Sequence, residues 1–190
     1  MKLIFRILSF WQVGTGAGEM GIFDERPIRD HEGLPFIPGR QVKGLCRQAV
    51  RDAEVLGCVS AGTADVLFGA RAEPGKPLLD DPDPGVLRFD DARLPVAERQ
   101  ALVGRHKLIS GLYRTRRSTA MTEDGVARPH SLRFEEVAIP LTLEAEVSRP
   151  DEADDEWMKD LEKVLPLIIA LGSGRTRGMG RVIVTTGDER

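Results

Sequence analysis

Cysteine, aromatic residues and long apolar runs are all scarce in this sequence of 190 residues. The two cysteines, Cys46 and Cys58, have no His or Cys neighbour at ligand spacing, so the sequence predicts neither a disulfide framework nor a zinc site. No apolar stretch approaches the roughly 20 residues that a transmembrane helix needs, and the first residues lack the pattern of a signal peptide. We therefore expect a cytoplasmic protein that has no membrane partner.

The charged residues are nearly balanced in number but segregated along the chain. With 41% hydrophobic and 30% charged residues and a formal charge of -3, the composition is typical of one folded domain and excludes a uniformly basic nucleic-acid binder. However, residues 104–133 hold seven basic and two acidic residues, and residues 171–183 hold three arginines and no acid. Residues 144–162 hold nine acids and two basic residues. The two basic segments favour binding of a polyanion on one face.

The order of the apolar patterns predicts an α+β fold. A near-continuous apolar run at residues 3–10 predicts a central strand buried on both faces, and an amphipathic pattern predicts a helix from Gln41 to near Gly57. Strict alternation over residues 137–147 predicts one strand, with Pro140 at an edge or bulge. We expect a single domain over residues 1–190, ferredoxin-like or of the RNA-recognition type, with an antiparallel sheet, helices on one face and an insertion at about 104–135.

Two segments have the chemistry of a phosphate site. Pro38-Gly39 sets the start of the long helix, so the backbone N–H groups of residues 39–42 lie at its positive end. Residues 172–181 combine four glycines with three arginines, which suits close approach of backbone amides to an anion. This loop lacks the Lys-Ser/Thr ending of a nucleotide-binding P-loop and precedes a strand. A flexible turn with solvated arginines is the alternative interpretation.

Acidic and histidine residues supply weaker candidates for catalysis. Carboxylates at Asp24, Glu25 and Asp30 could hold a hydrated divalent cation, although loop acids are more often solvated. The three histidines, His31, His106 and His130, share no spacing and have no paired Ser or Cys signature. The sequence therefore gives no support to a nucleophilic triad.

The segment from Gly33 to Arg47, with Pro38-Gly39-Arg40-Gln41-Val42-Lys43-Gly44 at its centre, resembles the loop-helix signature of the CRISPR-associated RAMP superfamily. The glycine-rich loop from Gly172 to Gly180 resembles the second hallmark of that superfamily. Leu67-Phe68-Gly69, Leu87 to Ala92 and Arg117 to Arg133 are similar to type III members. The resemblance implies a palm of the RNA-recognition type with a thumb-like insertion. It also implies a crRNA-binding subunit of a type III effector complex that forms the backbone along the guide and engages target RNA, beside copies of itself or related RAMP subunits.

The same resemblance assigns residues to these roles. The helix start and the glycine-rich loop would hold guide phosphates, and a hairpin at residues 113–133 would press into the guide–target duplex. The implied RNA-binding residues are Gly39, Arg40, Lys43 and Arg47 in the helix, Arg114, Arg116 and Arg117 in the hairpin, and Gly172, Gly174, Arg175, Arg177, Gly178 and Gly180 in the loop.

Backbone subunits of this family cleave target RNA through an aspartate that lies shortly before a proline. The matching residue is Asp24, with Glu25 as its neighbour, and it would act with Mg²⁺ or another divalent cation as an endoribonuclease. Arg40-Gln41 stands where the family usually has Ser-Ser, a change typical of type III-D members, some of which cap the guide end without cleaving. The alternatives are therefore a non-catalytic capping subunit, a guide-processing endoribonuclease that uses a histidine, and a generic anion-binding domain.

Overall fold

The computed structural model describes residues 1–14, 26–70, 85–150 and 156–187. In chain order its elements are β1 (Lys2–Ile7), α1 (Gly39–Val55), α2 (Thr63–Phe68), β2 (Arg88–Phe89), α3 (Val96–Leu102), α4 (His106–Ser110), β3 (Tyr113–Ser118), β4 (Arg133–Ala138), β5 (Thr142–Ser148), α5 (Glu156–Val164) and β6 (Val182–Gly187). Short 3-10 helices cover Leu165–Leu167 and Arg175–Arg177.

Four strands form an antiparallel sheet in the order β2-β5-β1-β6. Phe5 at the centre of β1 pairs with Leu143 on one side and with Val184 on the other. With α1 between β1 and β2, and α5 between β5 and β6, this order is that of a ferredoxin-like fold. The α+β architecture expected from the sequence is confirmed, as is the central position of β1.

The core lies on one face of this sheet. Alternate residues of β1 and β5 are buried against the apolar faces of α1 and α5. The opposite face of β1 carries Ile4 and the exposed Arg6, so the expectation that this strand is buried on both faces is wrong. The buried members of these elements are Leu3, Phe5, Ile7, Leu143, Ala145, Val147, Val42, Cys46, Ala49, Val50, Ala53, Trp157, Leu161 and Val164.

A separate two-stranded hairpin, β3–β4, stands between β2 and β5 in the chain. Tyr113 pairs with Ala138 at its base and Ser118 with Arg133 toward its tip. Trp11 joins the base to the main domain, since its N–H and C=O both bond to Ala138 at 3.1 and 2.8 Å. The single strand expected over residues 137–147 is wrong: Pro140 has no N–H to donate to a ladder, and the chain bends there from β4 into β5.

Tyr113, the one tyrosine of the sequence, fixes the hairpin base to the loop before α1. Its hydroxyl donates a hydrogen bond of 2.6 Å to the carbonyl of Gly33, and the Arg29 guanidinium lies 3.8 Å from the ring centroid. Burial raises the pKa of Tyr113 above its usual value, an effect that the charge of Arg29 partly opposes.

The raised pKa of Tyr113 predicts a loss of stability at high pH. Tyrosinate forms more readily in the unfolded chain, so the contribution of Tyr113 is present below about pH 10 and is lost as the pH rises toward its folded pKa. Urea unfolding of the protein and of Tyr113→Phe between pH 9 and 11 tests this. Burial also raises the pKa of Cys46, from 9.0 to about 12, but both proteins share that thiol. We expect the unfolding midpoint of the wild type to fall more steeply; parallel curves would contradict the assignment.

Candidate nucleic-acid interface

Helix α1 has one buried face and one exposed stripe. Exposed residues recur at every fourth position, at Arg40, Gly44, Gln48 and Asp52, which places them in one row along the helix. Pro38 precedes the helix, where its fixed φ suits the chain entry. The amide of Gln48 donates a 2.8 Å hydrogen bond to Asp52 within this row. The stripe is therefore a polar surface with one cation near its N-terminal end.

The glycine-rich loop is built onto the residues that follow β1. The N–H of Ser173 donates to the carbonyl of Gln12 at 2.8 Å, and the N–H of Gly180 donates to the carbonyl of Phe10 at 2.8 Å. A Cβ at Gly172 would lie 2.1 Å from the Gln12 oxygen, and a Cβ at Gly180 would lie 1.9 Å from the Leu171 oxygen. The fold thus requires these two glycines for close backbone packing, whatever they do for a ligand.

The exposed stripe of α1 and the glycine-rich loop line one common cleft, with a volume of about 990 Å³. Arg40 from the helix and Arg175 from the loop supply positive charge, and Asp52 is the one acidic residue among its described lining residues. Amides and hydroxyls come from Gln41, Gln48, Ser173 and Thr176, and apolar surface comes from Leu45, Leu167, Ile168 and Ile169. The cleft can therefore receive an anionic chain that also has apolar surface.

Of the helix residues that the sequence predicted to bind RNA, Arg40 lines the cleft and the others do not. Gly39 is buried, and a Cβ there would lie 2.3 Å from the carbonyl oxygen of Phe89. Burial and, to a smaller extent, the charge of Arg47 lower the pKa of Lys43. The guanidinium of Arg47 donates to the carbonyls of Phe68 and Gly69, so it holds the end of α2.

The positive end of α1 already holds an anion of the protein itself. The Asp91 carboxylate accepts the N–H of Gly39 at 2.9 Å, and the Arg93 guanidinium donates to it at 2.7 Å. The prediction of free backbone donors at the helix start is therefore wrong for Gly39. Sequence reasoning missed Asp91, because no local pattern links residues 52 positions apart.

Asp30 belongs to the same network and is fully engaged. One carboxylate oxygen accepts the N–H groups of Glu32 and Leu34 at 3.0 Å each, and the other pairs with Arg93 and Arg99 at 3.2 and 3.3 Å. Its oxygens are thus committed to the loop and the arginines, which does not fit the suggestion that Asp30 holds a cation.

The hairpin arginines lie outside the cleft but one of them contacts its loop. Arg116 donates to the sulfur of Met179, which follows the last 3-10 helix of the glycine-rich loop. The Arg117 guanidinium lies 5.5 Å from the Phe134 ring centroid, and Arg114 donates to the carbonyls of Gly111 and Tyr113. The hairpin and the cleft are therefore in direct contact through Arg116.

Asp24 and Glu25 lie in residues 15–25, outside the part of the chain that the structure describes. Elsewhere, in the described ranges, no group of three or more His, Cys, Asp or Glu side chains is placed to hold a metal ion. His31, His106 and His130 are exposed, and none of them lines the cleft. No helix within the described residues is long and apolar enough to span a bilayer.

The remaining loop residues are divided between the cleft and its surroundings. Gly172 and Arg175 line it, whereas Gly174, Arg177, Gly178 and Gly180 complete the loop behind them. All four glycines have φ between 65° and 78°. Sequence reasoning did not identify the apolar cleft residues Leu167 and Ile169, although Ile169 is 74% exposed, because an apolar residue after a helix reads as core.

The fold and the cleft define a class: a ferredoxin-like domain in which a glycine-rich loop and the first helix form a site for an extended anion. The model of the RAMP superfamily matches residues 5–183, and the chain belongs to that superfamily. No curated protein sequence matches it significantly.

Solved structures with the same fold come from CRISPR complexes. One is a chain of the type III-B Cmr-beta complex bound to cognate target RNA, with a TM-score of 0.71, 12% identity, and coverage of 97% of this chain and 95% of that one. A chain of the apo Cmr-beta complex has a TM-score of 0.66 and 12% identity, with coverage of 99% and 97%. A chain of a type IV-B CRISPR complex has a TM-score of 0.64 and 18% identity, with coverage of 99% and 90%. At these identities the similarity establishes the fold.

Proposed function

We propose that this protein is a crRNA-binding subunit of a type III CRISPR effector complex and that it holds the guide in the cleft between α1 and the glycine-rich loop. One observation carries the proposal: the two segments that resemble the hallmarks of the superfamily, more than 100 residues apart in the chain, line the same cleft. Membership of the RAMP superfamily and the likeness to chains of Cmr-beta support it.

The chemistry of the cleft fits a nucleic-acid backbone. Arg40 and Arg175 are exposed, so their guanidinium groups are available to phosphates, with which they form two-pronged hydrogen bonds. Hydroxyl and amide groups of Ser173, Gln41 and Gln48 suit the ribose 2′-hydroxyl, which both donates and accepts. Contacts of this kind fix the position of a strand without reading its sequence, which base pairing with the target would supply.

The position of the hairpin supports a second contact with RNA. Its exposed tip carries Arg128 and Arg133 beside Met121, Val126 and Leu132, and its base contacts the glycine-rich loop through Arg116. A strand held in the cleft would pass close to this hairpin. We therefore assign the hairpin to the pairing of guide with target RNA, and the outer surfaces to other effector subunits, including copies of this chain or related RAMP proteins.

Copurification of the protein with its co-expressed neighbouring subunits tests the proposed function. RNA extracted from the complex is sequenced and its ends are mapped. We expect discrete species derived from CRISPR repeats, and protection over a regular length would favour a backbone position over a capping position at one guide end. Absence of RNA, or a random mixture of cellular RNA, would contradict the proposal.

Cleavage of target RNA stays a prediction from the sequence, centred on Asp24. In a complex loaded with guide and supplied with Mg²⁺, we expect Asp24→Ala to abolish cleavage of matched target RNA, because the carboxylate that would position the cation is lost. Guide content should not change. Glu25→Ala serves as the matched control, and equal cleavage by wild type and Asp24→Ala would remove Asp24 from the mechanism.

A further inference from the structure

A glycine lies inside α1 where the fold gives no reason for one. Gly44 is the sixth of the 17 residues of the helix. Glycine is unfavourable in a helix interior because it loses the most backbone entropy on folding and has no side chain to cover the backbone. An interior glycine therefore needs a compensating cause.

The surroundings of Gly44 supply no such cause within the chain. A Cβ at this position would meet no atom within 4 Å, and its backbone is not in the left-handed region. At Gly39, in contrast, a Cβ would lie 2.3 Å from the carbonyl oxygen of Phe89, so close packing explains that glycine. Nothing in the described structure prevents alanine at position 44.

Gly44 lies on the exposed stripe of α1 and lines the cleft, one helical turn after Arg40 and one turn before Gln48. Leu45 lines the cleft beside it, together with Leu167 and the 74% exposed Ile169. The missing side chain thus leaves α1 bare at a point where cationic, polar and apolar groups share one surface.

We propose that Gly44 is a contact site for a single RNA strand, whose ribose–phosphate chain packs against the bare α1 backbone there. This inference rests on the proposed function and adds to it the ligand class and its point of closest approach. Arg40 takes a phosphate on one side of the contact. The surface of Leu45, Leu167 and Ile169 takes a ribose or an unstacked base, a contact that a single strand offers and a closed duplex does not.

The test compares stability with RNA affinity in Gly44→Ala and Gly44→Leu. Affinity of the full chain is measured by fluorescence anisotropy with a labelled single-stranded RNA, and with the same RNA annealed to its complement. We expect Gly44→Ala to raise Tm by about 2–4 °C, because alanine favours the helix. We expect Gly44→Leu to weaken single-strand binding by about tenfold or more, because the added side chain fills the space of the ligand. Gly44→Ala should weaken it less.

Ala101→Leu in α3 is the matched control, since it adds bulk at an exposed helical position outside the cleft, and it should leave affinity unchanged. Unchanged affinity in both Gly44 variants, a lower Tm for Gly44→Ala, or equal binding of single strand and duplex by the wild type would overturn the inference. These outcomes differ from a failure of the proposed function, in which the wild type itself binds RNA with no dependence on the cleft arginines.

Discussion

The double variant Arg40→Glu/Arg175→Glu should bind single-stranded RNA about 100-fold or more weakly than the wild type, since hydrogen bonds to charged groups are among the strongest polar contacts. Both side chains line the cleft from opposite elements, so reversal places two negative charges where phosphates would lie. Both are also exposed, so Tm should change little. The salt dependence of binding should fall by about one unit of slope, as expected when two phosphate contacts are lost.

A double variant with the same change of net charge separates the cleft from general electrostatics. Arg6→Glu/Arg88→Glu alters two exposed arginines in β1 and β2 that do not line the cleft. We expect it to lose less than threefold in affinity, about the effect of a distant charge at moderate salt. An equal loss in the two double variants would mean that RNA is attracted by overall charge and does not bind in the cleft.

The largest loss of stability among loop substitutions should come from Gly180→Ala. The residue has φ of +65°, which strains any side chain, and a Cβ would lie 1.9 Å from the carbonyl oxygen of Leu171. Strain and overpacking together cost about 3–5 kcal/mol, which corresponds to a decrease in Tm of about 10 °C for a chain of this size.

Gly178→Ala isolates the steric part of this effect. Gly178 has a similar φ of +78°, but a Cβ there would meet no atom within 4 Å. It should therefore cost about 1 kcal/mol, the strain alone. Thermal unfolding of the two variants measures the difference, and similar Tm values would contradict the close approach of Gly180 to Leu171.

The periodic elements of the fold could be predicted because their patterns are local. The i, i+3, i+4 apolar positions of α1 place its buried face correctly, and the helix ends within two residues of Gly57. The alternation over residues 137–147 also identifies the inward residues of β5, but periodicity alone does not show that Pro140 ends one strand and opens the bend to the next. The resemblance to the RAMP superfamily fixed the order of the elements.

The candidate site could be predicted only in part, because its parts meet through the sheet. Charge and glycine content identify the segments that contain Arg40 and Arg175, but only the tertiary structure places them on one cleft. The sequence assigns the loop glycines to phosphate binding, whereas backbone packing already requires Gly180. Asp91 at the positive end of α1 has no local signature, since the N–H that it accepts belongs to Gly39, 52 residues earlier.

Photo-crosslinking of RNA to the assembled complex tests the central claim most directly. Guide RNA that contains 4-thiouridine at single positions is crosslinked, and the modified peptides are mapped by mass spectrometry. The account predicts crosslinks in the α1 segment 40–48 and in the segment 167–176, which line the cleft from its two sides. Crosslinks confined to the hairpin, or to the open face of the sheet around Ile4 and Arg6, would contradict it.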